Sequence, residues 1–142
     1  MTATHTVHVR HTYTSDPATV FSAISEHENL EKVLPVTIKR VRDGDTERNG
    51  VGSTRSMRPF GFGPAFHETN TLVEPNSRIE YTVTKGGPLR DHQGTITVEP
   101  TPTGGTTLDW RITFGSAIPG VAALMQRLLT KSITKGLPSL TA

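Results

Sequence analysis

Apolar and polar residues alternate along much of the chain, which is the period of strands that bury one face. The alternation is clearest between residues 106 and 114, where Trp110 and Ile112 share one face and Asp109 and Arg111 share the other. Glycine, proline, asparagine and aspartate separate the alternating segments and favour turns between antiparallel neighbours. Seven strands are predicted: Val7–Tyr13, Val36–Arg42, Gly50–Met57, Phe66–Glu74, Arg78–Lys85, Arg90–Glu99 and Thr106–Phe114.

Two short helical segments are predicted between the first two strands. Asp16 and Pro17 suit the N-cap and the first turn of a helix, and the apolar residues after them have helical spacing. A second helical segment, Glu28–Leu34, ends before Pro35, because a proline disfavours the helical conformation of the residue that precedes it.

A longer helix is predicted near the C-terminus, from Pro119 to Gly136. Its apolar stripe includes Leu124 and Leu128, which we expect to pack against the sheet face that carries Trp110. The order of one strand, two short helices, six strands and a long helix predicts an α+β domain, with an antiparallel sheet closed by the terminal helix. A length of 142 residues favours one domain, spanning residues 1–142.

Composition narrows the classes of function. The 15 basic and 13 acidic side chains are interspersed and leave a formal charge of +2, so the charge pattern does not favour a nucleic-acid partner. The chain has no cysteine, which excludes disulfides, thiolate nucleophiles and cysteine-ligated zinc. We find no apolar run typical of a secretory signal or a membrane span, so a cytoplasmic location without integral membrane association is expected.

Several short motifs are distributed along the chain: Val7, Val9 and Tyr13 with Ser15–Phe21, Gly50–Arg55, Glu68, Val73–Pro75, Arg78–Tyr81, Gly87–Gly94 and Gly105–Trp110. Together they resemble the motifs of the SRPBCC or START-related (Bet v 1-like) superfamily, and in particular of its polyketide cyclase/dehydrase branch. The resemblance covers nearly the whole chain.

The resemblance implies a helix-grip fold, in which a curved antiparallel sheet of about six or seven strands wraps round the C-terminal helix and encloses a cavity for a small hydrophobic molecule. An apolar share of 33% also fits a modest or partly hollow core. Members of this superfamily include cyclases, aromatases, lipid carriers and hormone receptors, so the fold does not specify one activity. Trp110 is the single tryptophan, which disfavours the tryptophan-rich ring of some aromatase members.

Strand parity identifies polar side chains that we expect to face the cavity. His92 shares the face of Ile96, and Tyr81 shares the face of Ile79. Glu68 is placed inward with Phe66, although a bulge would reverse part of its strand. The candidate catalytic residues, which would orient a carbonyl or hydroxyl and move a proton, are His92, Glu68 and Tyr81. The candidate ligand-binding residues are His11, Tyr13, Arg55, Phe60, Phe62, Phe66, Asn70, Arg90, Trp110, Leu124 and Leu128.

Structural roles are the alternative for the same residues. Glu68 would then pair with Arg55 or Arg90, and Tyr81 and the histidines would be satisfied structural groups. His5, His8 and His11 do not converge on a metal ion if they lie on one strand, because alternate residues face opposite sides, so no metal is expected.

The glycine-rich segment Arg58–Ala65 is predicted to be a loop at the cavity mouth that gates entry, or else an ordinary surface hairpin tip. Its Gly61-Phe62-Gly63 lacks the third glycine and the strand-to-helix setting of a dinucleotide-binding motif, so no cofactor is expected.

Three functions remain open at this point. The first is binding of a small hydrophobic ligand such as a lipid, a polyketide or an aromatic metabolite. The second is cyclisation, dehydration or isomerisation by acid-base catalysis in the same cavity. The third is a protein-interaction or toxin-antitoxin-type regulatory module that uses the exposed Phe60 and Phe62. The oligomeric state is left open between a monomer and a homodimer.

Overall fold

The computed structural model describes residues 4–141, which contain one seven-stranded antiparallel sheet in the order β1-β7-β6-β5-β4-β3-β2. Its fold class agrees with the sequence prediction, including two short helices after the first strand and a long C-terminal helix. The strands are β1 His5–Tyr13, β2 Val36–Arg42, β3 Thr54–Pro59, β4 Phe66–Glu74, β5 Arg78–Lys85, β6 Leu89–Pro100 and β7 Thr106–Ser116. The α-helices are α1 Pro17–Ser25 and α2 Val121–Gly136, and the 3-10 helices are His27–Lys32 and Leu137–Ser139.

The first and last strands lie side by side, and β1 pairs with β7 from His5 opposite Phe114 to Tyr13 opposite Thr106. Strands β2 to β7 follow one another as hairpins. The chain therefore crosses from one edge of the sheet to the other only once, between β1 and β2, and α1 lies in that crossing. Asp16 caps α1, and its Oδ1 accepts a hydrogen bond from the Thr19 N–H at 2.9 Å.

One half of the inner face of the sheet is filled by side chains, and we call it the packed half. It lies beneath α1, and a residual space of about 10 Å³ remains between α1 and the strands. That volume is at the lower limit for one water molecule. The residues that fill this half are Ile24, Ile96, Val98, Leu108 and Trp110, all of them buried.

The helix α2 is fixed to the rest of the fold at its C-terminal half. Ser132 Oγ donates a hydrogen bond to the Val33 carbonyl at 2.5 Å, and Ile133 is fully buried. A Cβ at Gly136 would lie 2.6 Å from Val33 Cα, so the close approach of the two segments requires glycine.

The predicted burial of Leu124 and Leu128 is wrong, since these side chains are 55% and 37% exposed. Met125 and Leu129, each one position further along α2, are half-buried and pack against the core instead. The physical reason is that Leu124 lies outside the cavity and Leu128 borders it. The contacts of this half of α2 are made by the buried Ala122 and by Gln126, whose Nε2 donates to the Thr6 carbonyl at 2.7 Å.

Two bulges change the predicted strand faces. In β6 the pairing with β7 shifts between Arg90 and Gln93, and Asp91 has a positive φ of 53°. Arg90 is consequently exposed, which corrects its predicted inward position, and the half-buried Leu89 faces the interior.

In β4 the pairing with β5 shifts between Asn70 and Leu72. Val73 then lies opposite the buried Ile79 and packs against the core, whereas parity alone placed Leu72 on that face.

Other differences concern element boundaries. β3 begins at Thr54 and not at Gly50, because the turn before it contains Gly52 with φ of 90°. The second short helix is a 3-10 helix, His27–Lys32. Within residues 4–141, neither α-helix has the length and hydrophobicity needed to cross a bilayer.

Candidate functional site

The other half of the inner face, which we call the hollow half, contains a cavity of about 530 Å³. This volume lies within the range of about 300 to 1,000 Å³ that is typical of small-molecule sites. The cavity lies between the sheet and the first half of α2, and the loop after β3 and the loop after β5 border it. Its apolar lining comes from Leu34, Pro35, Val36, Met57, Pro59, Phe60, Pro64, Phe66, Val83, Gly86, Gly87, Pro88, Leu89, Ile112, Met125, Leu128 and Leu129, and its polar lining from Glu68, Tyr81 and His92.

Glu68 occupies the floor of the cavity and is paired from behind by Arg55. Both residues are buried, and they lie opposite each other on β4 and β3. Arg55 donates two hydrogen bonds to Glu68 Oε1, from Nε at 3.1 Å and from Nη2 at 2.9 Å. Arg55 Nη1 also donates to Asn70 Oδ1 at 3.2 Å, and its guanidinium lies 4.9 Å from the centre of the Tyr81 ring. The floor therefore contains a fixed ion pair of zero net charge.

Tyr81 is held beside this pair by Trp110, whose Nε1–H donates to the tyrosine oxygen at 2.9 Å. Gly94 lies opposite Tyr81 on β6, and a Cβ there would lie 2.1 Å from a carbon of the Tyr81 ring. Glycine is thus required for the ring to lie across β6. Burial raises the pKa of Tyr81 well above its ordinary value, so the hydroxyl keeps its proton.

His92 completes the polar floor. The pairing of β5 with β6 ends at Tyr81 and Gly94, and beyond it the Val83 N–H donates to His92 Nδ1 at 3.2 Å. Because Nδ1 is an acceptor in this bond, a neutral ring carries its proton on Nε2. Burial lowers the pKa of His92, and the nearby Glu68 opposes that shift in part.

The Nε2 atom of His92 lies 3.6 Å from Glu68 Oε2. This distance is too long for a hydrogen bond between them. A ligand hydroxyl beside these two atoms could accept a hydrogen bond from His92 Nε2 and donate one to Glu68 Oε2. The arrangement can orient a hydroxyl or carbonyl group and can transfer a proton.

Six of the residues predicted from the sequence line the cavity. They include the three candidate catalytic side chains, which the fold brings together although they lie on three different strands. The six are Glu68, Tyr81, His92, Phe60, Phe66 and Leu128.

Three further predicted residues support the floor from behind without lining the cavity. Arg55 binds both Glu68 and Asn70, and Trp110 binds Tyr81. Asn70 Nδ2 also donates to Ser53 Oγ at 3.1 Å, and Ser53 Oγ lies 3.2 Å from Nε2 of the buried His27. Burial is the main cause that lowers the pKa of His27 to about 3.

The remaining predicted residues lie outside the cavity. Tyr13 donates to the Leu137 carbonyl at 2.6 Å, and His11 contacts the Tyr13 ring edge-on, with the ring centres 4.6 Å apart. Phe62 is 84% exposed at the tip of the loop after β3. Arg90 and Leu124 are exposed for the reasons given above.

Sequence reasoning did not assign ligand contacts to most of the apolar lining. Ile112 and Val83 were placed on inward faces by parity, which was the available signal for them. Met125 lies on the predicted apolar stripe of α2 but was not assigned a ligand contact, and Leu129 was left off that stripe. Leu89 was missed because the bulge at Asp91 is not visible in the alternation.

Metal ligands do not converge in the part of the chain that the structure describes, residues 4–141. His8 faces away from the interior, and its Nε2 lies 2.8 Å from Asp109 Oδ2. The cavity itself offers one carboxylate and one imidazole, which are fewer ligands than a protein-bound zinc ion requires.

The family of the chain is established by a model described as polyketide cyclase/dehydrase and lipid transport, which matches residues 4–142. The chain belongs to this family and hence to the SRPBCC (Bet v 1-like) superfamily, in agreement with the resemblance of its motifs. A search of curated proteins finds no significant match.

Solved structures with low sequence identity share the fold. Ara h 8.0201 superposes with a TM-score of 0.68 at 17% identity, covering 98% of each chain. A truncated norcoclaurine synthase from Thalictrum flavum has a TM-score of 0.72 at 15% identity, covering 99% of this chain and 92% of that one. A protein from Chromobacterium violaceum has a TM-score of 0.67 at 23% identity, covering 96% of each chain. At these identities the similarity establishes the fold alone.

Proposed function

We propose that this protein binds a small hydrophobic molecule, such as a lipid, a polyketide or an aromatic metabolite, in the cavity of the hollow half. The observation that supports this most directly is the cavity of about 530 Å³, whose wall is apolar except for Glu68, Tyr81 and His92. Such a lining buries an apolar guest, while the few polar groups fix its orientation. The family description includes lipid transport, which is consistent with a carrier or a sensor.

The test uses a cavity-filling substitution and a matched control on the same helix. Leu129 lines the cavity, whereas Leu124 lies on α2 outside it. We expect the wild-type protein to bind the neutral apolar dye N-phenyl-1-naphthylamine, with a rise in its fluorescence. Leu129→Trp should weaken this binding by about tenfold or more, because the indole occupies the space of the dye. Leu124→Trp should leave the binding unchanged.

Equal loss of dye binding in the two variants would contradict the proposal, as would the absence of binding to the wild-type protein. Native mass spectrometry of the purified protein provides a second measurement. A co-purifying small molecule that is absent from Leu129→Trp supports the proposal. A protein that carries no ligand and does not bind the dye contradicts it.

Acid-base catalysis is the second candidate, and the position of Glu68 favours it. Its Oε2 accepts no hydrogen bond from residues 4–141, although the carboxylate is buried beside His92 and Tyr81. In such an arrangement the carboxylate takes a proton from the carbon next to a ligand carbonyl. The Nε2–H of His92 and the hydroxyl of Tyr81 then donate to the oxygen on which negative charge develops.

A neutral ketone tests this second candidate. The rate of solvent deuterium incorporation into 2-tetralone, followed by NMR, should exceed the buffer rate in the presence of the wild-type protein. His92→Ala should lower the protein-dependent rate by about a hundredfold while N-phenyl-1-naphthylamine still binds. Exchange at the buffer rate with the wild-type protein would argue against this chemistry and leave the binding proposal intact.

A further inference from the structure

The polar floor of the cavity has hydrogen-bond donors and acceptors that remain open to a ligand. Glu68 Oε1 is occupied by two hydrogen bonds from Arg55, while Oε2 accepts none from residues 4–141. His92 Nδ1 accepts the Val83 N–H, so Nε2 is the donor of the neutral ring. Tyr81 Oη accepts from Trp110 and keeps its own proton for donation. The floor thus offers one carboxylate acceptor, one imidazole donor and one hydroxyl donor.

The electrostatic balance of the floor is neutral. Among the described residues that line the cavity, Glu68 alone carries a full charge when His92 is neutral. The guanidinium of Arg55, 2.9 Å from Glu68 and buried with it, compensates that charge from behind the wall. A charged guest would therefore enter an apolar cavity in which its own charge has no partner left.

We infer that the cavity selects uncharged ligands that bear a hydroxyl group, and that the Arg55–Glu68 pair sets this selectivity. The inference rests on the proposed binding function. The ligand hydroxyl lies on the cavity side of Glu68 Oε2 and His92 Nε2, within hydrogen-bond reach of both, where it donates to the carboxylate and accepts from the imidazole or from Tyr81. An ether or a ketone in the same place can accept but cannot donate, and it leaves the carboxylate oxygen buried without a hydrogen bond.

The experiment compares four ligands with one apolar body and different head groups: 4-hexylphenol, 4-hexylanisole, 4-hexylbenzoate and 4-hexylbenzylamine. The affinity of each ligand is measured by displacement of N-phenyl-1-naphthylamine at about pH 7.5. At this pH the phenol and the anisole are neutral and the other two ligands are charged. The phenol should bind best, by about tenfold over the anisole because of the lost hydrogen bond, and by at least that factor over both ions.

Substitutions that change the net charge of the floor provide the more discriminating part of the experiment. Glu68→Gln leaves the Arg55 cation uncompensated, so the affinity for 4-hexylbenzoate relative to 4-hexylphenol should rise by about tenfold or more. Arg55→Gln leaves the carboxylate uncompensated and should shift the preference by a similar factor towards 4-hexylbenzylamine. The double variant Arg55→Gln/Glu68→Gln is neutral again and should bind both ions more weakly than the phenol. It also serves if a single variant does not fold, as judged by circular dichroism.

The outcomes separate the selectivity from the binding function. If the dye binds and the four hexyl ligands bind equally well, or if a charged ligand binds the wild-type protein best, the inferred selectivity is wrong. The proposed binding function is then unaffected. If neither the dye nor any hexyl ligand binds, the binding function itself fails. Single variants that bind the dye but keep the wild-type ranking would show that the Arg55–Glu68 pair does not set the selectivity.

Discussion

The packed half and the hollow half of the sheet are made from the same strands but differ in how they are covered. Beneath α1, Trp110 and its neighbours leave about 10 Å³ of free space, while beneath the first half of α2 about 530 Å³ remains open. Both halves show the same alternation in sequence. The difference arises from the covering helices. Val20 and Ile24 of α1 are buried on the sheet, whereas in the first half of α2 only Ala122 is buried, and Met125 and Leu128 border the cavity.

If the proposed function is correct, stability and ligand binding depend on different parts of one inner face. The packed half has the dense contacts that make a side chain costly to remove. The hollow half lacks those contacts and exposes the carboxylate, imidazole and hydroxyl of the floor to a guest. The floor residues lie at the boundary, where Trp110 of the packed half binds Tyr81 of the cavity.

The largest expected effect is on stability and comes from the packed half. Trp110→Ala should lower the free energy of unfolding by about 3 to 5 kcal/mol, because the ring is fully buried and the gap cannot close. Phe66→Ala in the hollow half should cost about 1 kcal/mol, since its half-buried ring already faces open space. Urea denaturation measures both values. Equal costs would show that the two halves do not differ in packing.

A pair of substitutions on α2 makes the same comparison within one helix. Ile133→Ala should cost about 2 to 5 kcal/mol, because the side chain is fully buried. Leu128→Ala should cost less than about 1 kcal/mol, because Leu128 lines the cavity and is partly exposed. If thermal and chemical denaturation gave the larger loss for Leu128, this side chain would have to pack in the core and not at the cavity.

The free energy of unfolding should also depend on pH, because His27 and His92 are both buried. The pKa of His27 is lowered from 6.5 to about 3 in the folded protein, so the unfolded chain binds the proton more tightly. Stability is therefore unaffected by this group above about pH 6.5 and falls as the pH decreases towards 3. The loss by about pH 4.5 should be about 3 kcal/mol, measured by urea denaturation across the pH range.

His27→Gln is the matching variant and should remove much of this acid-induced loss. The pKa of His92, which lines the cavity, is also lowered, so His92→Gln should reduce the remaining slope in the same direction. A pH profile that neither substitution changes would mean that other groups dominate the acid sensitivity.

The smallest expected effect on stability is at the mouth of the hollow half. Phe60 lines the cavity and is 59% exposed, while Phe62 points away from it. Phe60→Ser should speed dissociation of N-phenyl-1-naphthylamine by roughly threefold to tenfold in stopped-flow experiments, because the side chain closes part of the mouth. Phe62→Ser is the control and should leave the rate unchanged, and neither variant should lower the melting temperature much. Unchanged dissociation in Phe60→Ser would refute gating by this loop.

The sequence was sufficient to predict the parts of the fold that depend on the periodicity of apolar residues. The inward faces of Ile79, Tyr81 and Trp110 follow from alternation, because a side chain on a regular strand has no other choice of face. The irregular positions could not be obtained in this way. Asp91 reverses the face of Arg90 through a single positive φ, and no residue type at that position specifies a bulge.

The residues of the candidate site were also predictable where they lie on regular strands. Glu68, Tyr81 and His92 were found by parity and do line the cavity, although their roles remain proposals. Leu124 was misplaced because an apolar stripe locates the inner side of a helix only approximately, and the adjacent Met125 faces the cavity instead. His27 was missed because it lies in a 3-10 helix, whose short length leaves no period to detect.

The most direct test of the central claim is a methyl NMR titration of the wild-type protein with 4-hexylphenol. If the hollow half is a ligand site, the methyl signals of Ile112, Met125 and Leu129 should shift together and saturate. Those of Val98 and Leu108 in the packed half should stay in place. Saturable shifts confined to exposed residues such as Val41, or no saturable shift at any lining methyl group, would contradict the account.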